Sequence, residues 1–575
     1  MTDEQAARRT GDTPSFDLTS RPWLPVQLLN GRELELSLRE IFDRAEEIRR
    51  LAGDMATQDF ALMRLLLAIL HDALNGPQDV DEWEQLWEED APFAVVPDYL
   101  DAHRERFDLL DEAAPFFQTA GLRTPKDEIS SLNRIVADVP NGEPFFTMRA
   151  RGAERISFAE AARWVVHTQT YDTSGIKTGV VGDSQAKAGK AYPQGVAWAG
   201  SVGGVLAEGM TLRETLLLNL IATSSGLAAA SSEDRPAWRR KPAAPGAAPD
   251  VAQRPHGLRD LYTWQSRRLL LHADADGVHG VVLTYGDPLA PHNMHTHEPM
   301  SAWRRSEAQE KKLARPLVYM PQEHDPSRAA WRGLEALITP QSHGAVSRGD
   351  PSPKLRPGIV AWLAQLVNER VLPKGMMVRV RTYGAVYGTQ QSVIDEIIED
   401  GLAMAVVVLS ESDRRLGQVA VDAAADAEEA VTVLGHLAAD LAQARGSTPD
   451  AAKATVRDRG FGVLDGPYRS WLAAIREGDT PHELRTTWQH TVRREITVIA
   501  TELISTAGEA AWHGRVIDHA KGQLWLNAAS ADLRFRVRLN ERLPLAAGPA
   551  SDPETDASAD ATQDASGPNA PKVPA

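Results

Sequence analysis

The sequence predicts an α+β protein: a mixed α/β N-terminal domain over residues 16–388, then a helical bundle over residues 389–544. Three observations lead there. Apolar residues alternate around an Asn30-Gly31 turn, the patterning of strands joined by a hairpin. Nine glycines crowd residues 172–209, where each would cost a helix about 1 kcal/mol. After about Gln390 the chain becomes alanine-rich, with apolar residues three and four apart, as on a helix face. At 575 residues the chain is long enough for more than one core.

The elements follow in order. Trp23, Leu24, Pro25 and Val26 begin a strand, and Leu34, Leu36 and Leu38 alternate after the turn. Phe60, Met63, Leu66, Leu67 and Leu70 mark a helix over 58–74, which Gly76-Pro77 ends. A helix over 97–106 leads into Phe107, Pro115, Phe116 and Phe117, an aromatic cluster suited to a core. The glycine-rich stretch reads as loops with short strands and closes in a helix over 211–222. A Pro/Ala-rich linker is expected near 235–255, then strands at 269–271 and 281–283. Helices are expected over 392–409, 417–445, 465–476 and 481–507. Residues 1–15 and the acidic tail at 545–575 are expected to be disordered, the tail because it has few apolar groups to offset the ordering entropy.

Composition excludes several classes. The chain has no cysteine, so neither a disulfide framework nor a thiolate metal site can exist. No run approaches the roughly 18 apolar residues of a membrane helix, and the polar opening does not read as a secretory signal. These features predict a soluble, cytoplasmic protein. Net charge is −17; the tail, with five carboxylates against Lys572, accounts for −4 and leaves −13 for the folded part. That balance argues against coating DNA unaided. It leaves room for contact with DNA from inside a larger assembly, because phosphate binding depends on the local field.

Catalytic patterns are sparse. His71-Asp72 reads as two helix-surface residues without further ligands nearby. His292, His295 and His297 form the most metal-like cluster and, with a carboxylate such as Glu298, could serve a metal-dependent hydrolase. Polar loop histidines are the plainer reading, since spacing without a second shell says little. Gly182 to Lys190 departs from the phosphate-loop pattern, with six residues between its glycines and Ala191 after the lysine. Ser174-Gly175-Ile176-Lys177-Thr178-Gly179 would let backbone approach a ligand closely, with a lysine in its middle, or would be a surface loop. Gln390 and Gln391, expected at a helix start, could bond or stack on base edges, or be ordinary turn residues.

Several segments together resemble one family. They are Phe16-Asp17-Leu18 through Trp23-Leu24-Pro25-Val26, Leu65-Leu66-Leu67-Ala68-Ile69-Leu70-His71, and Pro115-Phe116-Phe117-Gln118. Thr211 through Asn219 and Leu261-Tyr262-Thr263-Trp264-Gln265 continue the series. In this order, over about residues 16–540, they resemble the CasA family, the large subunit of the type I-E CRISPR Cascade complex. The resemblance implies a mixed α/β domain followed by a four-helix bundle, with no catalysis and no cofactor. It implies a subunit that reads a protospacer-adjacent motif (PAM) in double-stranded DNA and helps open the duplex for crRNA pairing and R-loop formation. Its implied partners are that DNA, the crRNA handle, the other Cascade subunits and a helicase-nuclease effector that docks on it. Delegating sequence to base pairing while protein reads a short motif is the general logic of such effectors.

By the same resemblance, Ser174, Gly175, Ile176, Lys177, Thr178 and Gly179 match the family's glycine loop, which meets the motif from the minor groove. Gln391, with Gln390 beside it, matches the wedge that splits the first base pair. Phe145 or Phe146, within 141–151, matches the aromatic residue of a first flexible loop. The chain departs from the family in having no lysine between Trp264 and Arg305, so Asn293 is the stand-in for a minor-groove finger. It also lacks the cysteine cluster found in some relatives.

Overall fold

A computed structural model of the chain describes residues 15–137, 154–338, 354–519 and 522–547. It divides into two compact units, one of Met1–Val421 with Tyr468–Pro481, the other of Asp422–Pro467 with His482–Ala575. The fold class is the one expected: strands and helices are mixed in the N-terminal part, and the C-terminal region is helical.

In the first unit, strands Leu24–Leu28, Glu33–Leu36 and Ile48–Leu51 form an antiparallel sheet with Leu24–Leu28 in its centre. Helix Ala56–Ala73 is buried from Thr57 to Asp72 except at Asp59, which explains its near-continuous apolar run. Helix Phe158–Tyr171 starts at Ser157, whose hydroxyl caps the amide of Glu160, and its His167 meets Thr57 of the first helix at 3.0 Å. Strand Met377–Tyr387 lies between Ile394–Ala405 and Gly204–Glu208, antiparallel to both. Arg267–Asp274 and Gly277–Tyr285 form a separate hairpin.

Four expectations are corrected. Residues 392–409 are not a helix: Ile394–Ala405 is a strand paired along its length with Met377–Tyr387. Its isoleucines at 394, 397 and 398 satisfy helical spacing, but β-branched residues facing a ready strand partner decide for the sheet. The long helices therefore begin at Arg415, not near residue 389. The helix expected over 211–222 is only Leu212–Leu218, because the Asn219 side chain leaves the helix to bond both backbone groups of Ala207. Residues 235–255 are not a free linker: Trp238 is buried, and Arg254 is paired with Asp260 and Asp287. His71 and Asp72 are not on a helix surface either. Both are buried, Asp72 accepting from Tyr99 and pairing with Arg239 and Arg259.

In the C-terminal region the long helices are Arg415–Arg445, Pro449–Ala474, Pro481–Ser505 and Ala528–Arg542. Within the second unit Trp488 donates its indole N–H to the Ala423 carbonyl at 2.7 Å, and Arg485 and Gln489 converge on Asp426. A hairpin of Arg515–His519 and Gly522–Leu526 precedes the last helix.

Candidate nucleic-acid interface

The site grows from the end of helix Phe158–Tyr171. Its C-cap, Asp172, is buried and faces two cations. Lys177 reaches its carboxylate at 2.6 Å, and Arg267 pairs with it as well. Burial would raise the Asp172 carboxyl, but Lys177 and Arg267 outweigh it and hold the pKa below the ordinary value. Burial draws the Lys177 ammonium down to about 8, against the opposing pull of Asp172. Both cations also lie over the ring of Tyr285, at 5.4 and 4.8 Å. The Arg267 guanidinium donates to the carbonyls of Asp172, Thr173 and Gly195, and the Tyr285 hydroxyl donates to that of Gly175 at 2.6 Å. The turn after Asp172 is thereby held from beneath.

Within the glycine loop the six candidate residues divide by role. Gly175 has φ +112°, which side-chain-bearing residues rarely adopt, and Ile176 beside it is 56% exposed. These two form the outward part. Ser174 is buried, and Lys177 is turned in as an ion-pair partner rather than out toward phosphate. Thr178 and Gly179 belong to a short pairing of Lys177–Thr178 with Lys190–Ala191. A Cβ at Gly179 would stand 3.0 Å from Ala186 Cβ and the Gly189 carbonyl carbon, so this glycine serves local packing.

Gln390 and Gln391 lie at a hairpin tip, not at a helix start. Thr389–Gln391 is a single turn joining Met377–Tyr387 to Ile394–Ala405. Both glutamines are exposed and left-handed, with φ 55° and 56°. For a non-glycine residue that conformation costs roughly 1–2 kcal/mol. The tip is over-determined: Gln391 N–H donates to the Gly388 carbonyl at 2.8 Å, and the Ser392 hydroxyl to that of Thr389 at 2.8 Å. The Gln391 carbonyl accepts the Ser174 N–H at 2.7 Å. That bond joins glycine loop and glutamine tip across more than two hundred residues of chain. A Cβ built on Gly175 would lie 3.6 Å from Ser392 Cβ, so the two loops are in contact.

Two cavities flank Gln391. One, of about 230 Å³, includes Arg304, Gln194 and Arg267 in its lining; the other, of about 240 Å³, includes His324, Gly384 and Tyr387. A cavity of about 150 Å³ can take benzene, so either has room for one planar ring. Glu323 lines both, and its burial holds that carboxyl above the ordinary value, against the pull of Arg304.

The other candidates are placed differently. Asn293 is left-handed at φ 59°, and its side-chain oxygen accepts the Tyr319 N–H at 2.7 Å while its own N–H donates back to the Tyr319 carbonyl. Phe145 and Phe146 lie outside the described residues. His292, His295 and His297 do not converge with a carboxylate, and among the described residues no group of three His, Asp or Glu side chains could hold a metal ion. Glu298 is fully buried and engaged by both terminal nitrogens of Arg64, by the Trp198 indole N–H and by the Met300 N–H. That removes the ligand the hydrolase reading needs. Sequence reasoning missed Asp172, Arg267, Tyr285 and Arg304. A charged residue opening a strand with an apolar middle was the available signal for Arg267; Arg304, in the middle of Trp303–Arg305, gave none.

A model of the CRISPR-associated protein Cse1 (CRISPR_cse1) family matches residues 17–499. A curated relative, CRISPR-associated protein CasA/Cse1 of Thermus thermophilus, is 29% identical over 346 residues; the match spans 59% of this chain and 62% of that protein's length. The crystal structure of Thermobifida fusca Cse1 is similar at a TM-score of 0.87 and 57% identity, covering 93% of this chain and 99% of that one. Cse1 from Acidimicrobium ferrooxidans is similar at 0.76 and 29%, with the same coverage. Since the family model extends over most of the chain, this protein belongs to the CRISPR-associated Cse1 family, the family also called CasA.

Proposed function

We propose that this chain is the DNA-reading large subunit of a type I-E Cascade complex and binds without chemistry of its own. In this reading Gly175 and Ile176 lie against the minor groove of the protospacer-adjacent motif. Gln391 enters the stack beneath the motif and parts the first base pair, with Gln390 supporting it. Arg304, which lines a cavity together with Gln391, is the better candidate for a groove contact than Asn293, whose side-chain oxygen is committed to Tyr319. The remaining proposed partners are the crRNA handle, through the segment of Phe145 and Phe146, the other Cascade subunits, and a helicase-nuclease that docks on the assembled complex. The setting is the cytoplasm; among the described residues no helix is long and apolar enough to cross a membrane.

The observation that supports this reading most is the Ser174–Gln391 backbone bond. It gives a motif-touching loop and a strand-parting tip one rigid frame, so contact with the motif positions the wedge. Opening a base step costs a few kcal/mol, which matters only while the step is closed. Gln391→Ala in assembled Cascade should therefore slow R-loop formation on intact duplex and matter much less when the same DNA is already unpaired beside the motif. Equal defects on both substrates would make Gln391 an ordinary contact, and no defect on either would place the wedge elsewhere.

A further inference from the structure

We propose that the cavity beneath the 235–255 segment binds a nucleotide phosphate, a ligand joining a phosphomonoester to a planar ring. The cavity measures about 600 Å³, within the range of roughly 300–1,000 Å³ usual for small-molecule sites. Its lining is partly aromatic. Phe116 and Phe117 stack with centroids 4.2 Å apart, and Trp238 lies near-parallel to Phe117 at 6.4 Å, its indole N–H fixed by the Tyr99 hydroxyl. Small residues of the Ala/Pro-rich segment, among them Ala243, Ala244 and Ala248, line it without filling it. The composition that suggests a linker thus leaves a space open beside a stack of aromatic side chains, with Phe117 the most exposed of them at 8%.

Elsewhere in the lining seven Arg and Lys side chains stand against three carboxylates, Glu233, Asp250 and Asp287, so cations are in excess; Arg235 is paired with Glu233, and Asp250 lies near Arg240 and Arg254. Arg239 pairs with Asp72, Arg240 with Asp260, Arg254 with Asp260 and Asp287, and Arg268 with Asp287. Arg106 and Lys241 have no ion pair among the described residues. Arg106 gives one terminal nitrogen to the carbonyls of Trp238 and Arg240, at 2.9 and 2.8 Å. Its Nε is buried without a hydrogen-bond partner. Burial lowers its pKa, with only a Coulombic pull from Asp111 in opposition. Two unbalanced cations beside a cavity, in a chain of net charge −17, suit a dianion, and arginine suits phosphate in particular. The aromatic lining suits the base, whose π-face stacks irrespective of its identity. The ligand is either a free nucleoside monophosphate or the phosphorylated end of a nucleic-acid strand. This site shares no residue with the Gly175–Gln391 frame and stands or falls separately from it.

The test is equilibrium binding to the full-length chain. The probes are AMP, GMP, CMP and UMP, adenosine and inorganic phosphate as half-ligands, and a short single-stranded RNA with and without a 5′-phosphate. We expect at least one monophosphate or the phosphorylated RNA to bind with Kd below about 1 mM, and each half-ligand about tenfold more weakly. Lys241→Glu and Arg106→Gln should each weaken binding about tenfold or more. Lys241 is exposed, so its substitution probes the site even if Arg106→Gln perturbs folding. Tighter binding of the phosphorylated RNA than of the monophosphates assigns the site to a strand end; the reverse assigns it to a free nucleotide. Absence of binding by every phosphorylated probe at that concentration overturns the proposal, as does binding that Lys241→Glu leaves unchanged.

Discussion

Asp172→Asn preserves the size of the side chain and removes the carboxylate that Lys177 and Arg267 share. The two cationic side chains are 9% and 3% exposed, so neither can turn to water without moving backbone. Breaking a buried ion pair by deleting one partner costs roughly 3–5 kcal/mol. Two features argue for the lower end. Arg267 keeps its carbonyl partners at Thr173 and Gly195, and Lys177 can release its proton readily because burial already holds it near about 8. A local loss of about 3 kcal/mol corresponds to roughly 100-fold in an opening equilibrium. Hydrogen exchange of the Ser174 amide, which donates to Gln391, should accelerate by that factor, read by mass spectrometry over a peptide covering 172–180. On the proposed function motif binding should weaken in parallel, since the turn that carries the Ser174–Gln391 bond loses its support. Adding Lys177→Met should recover part of the loss, as no buried ammonium then remains. Exchange within about threefold of the wild type, on the scale of about 1.4 kcal/mol per tenfold, would show that the carboxylate does not hold this loop.

Three further outcomes follow from the same geometry. Gln390→Gly should raise stability by about 0.5–1 kcal/mol, the relief of a left-handed side chain less the backbone entropy of glycine, seen as a higher urea midpoint. Gly175→Ala should cost about 1–3 kcal/mol through its backbone angle and weaken motif binding, whereas Gly179→Val should disturb the Lys177–Ala191 pairing first, visible as proteolysis within 179–190. Lys177 gives a pH signature. Between about 8 and its ordinary value of 10.5 the unfolded chain holds a proton that the folded chain has released, so stability should rise with pH there, by at most about 1.4 kcal/mol per pH unit. In Lys177→Met that rise should be absent from unfolding midpoints measured across pH 8 to 10.

Much of the fold was legible because its signals are local. The Asn30-Gly31 turn, the buried helix closed by Gly76-Pro77, and the break-up of 172–209 into short pieces all follow from residue types. The error over 392–409 has a physical source: Ile394, Ile397, Ile398 and Leu402 satisfy helical spacing, and only a distant strand, Met377–Tyr387, decides otherwise. Helix Ala528–Arg542 escaped notice because it buries little, chiefly Ala528, Ala531, Phe535 and Leu539. At the candidate site the sequence singled out the loop and the glutamines as candidates, but neither the hairpin that carries the glutamines nor the residues beneath the loop. Asp172, Arg267 and Tyr285 come from three segments, and no spacing rule joins an ion pair to a ring that the fold brings beneath it. Lys177 shows the hazard most clearly. In sequence it is the positive charge in the middle of a candidate binding loop, and in the fold it is a buried tie to Asp172.

The glutamine tip differs from Asn293 in how its left-handed backbone is offset. Asn293 is also left-handed, but its side chain and backbone both bond Tyr319, so the conformation is offset by local structure. At Gln390 and Gln391 the backbone is held in place while neither side-chain amide has a hydrogen-bond partner among the described residues. Two adjacent residues at roughly 1–2 kcal/mol each are thus kept in a conformation that presents two exposed side-chain amides. Glycine or asparagine would meet the backbone requirement at lower cost. On the proposed function the glutamine side chains themselves are needed when DNA is bound, and that need would account for the left-handed strain. Gln391→Asn isolates that requirement: it keeps an amide and eases the backbone, but shortens the reach by one methylene. If the tip works by insertion, this variant should be at least as stable as the wild type and open intact duplex more slowly, with pre-opened DNA restoring it. An unchanged opening rate would show that the length of the side chain is irrelevant and that the strain serves some purpose other than a wedge.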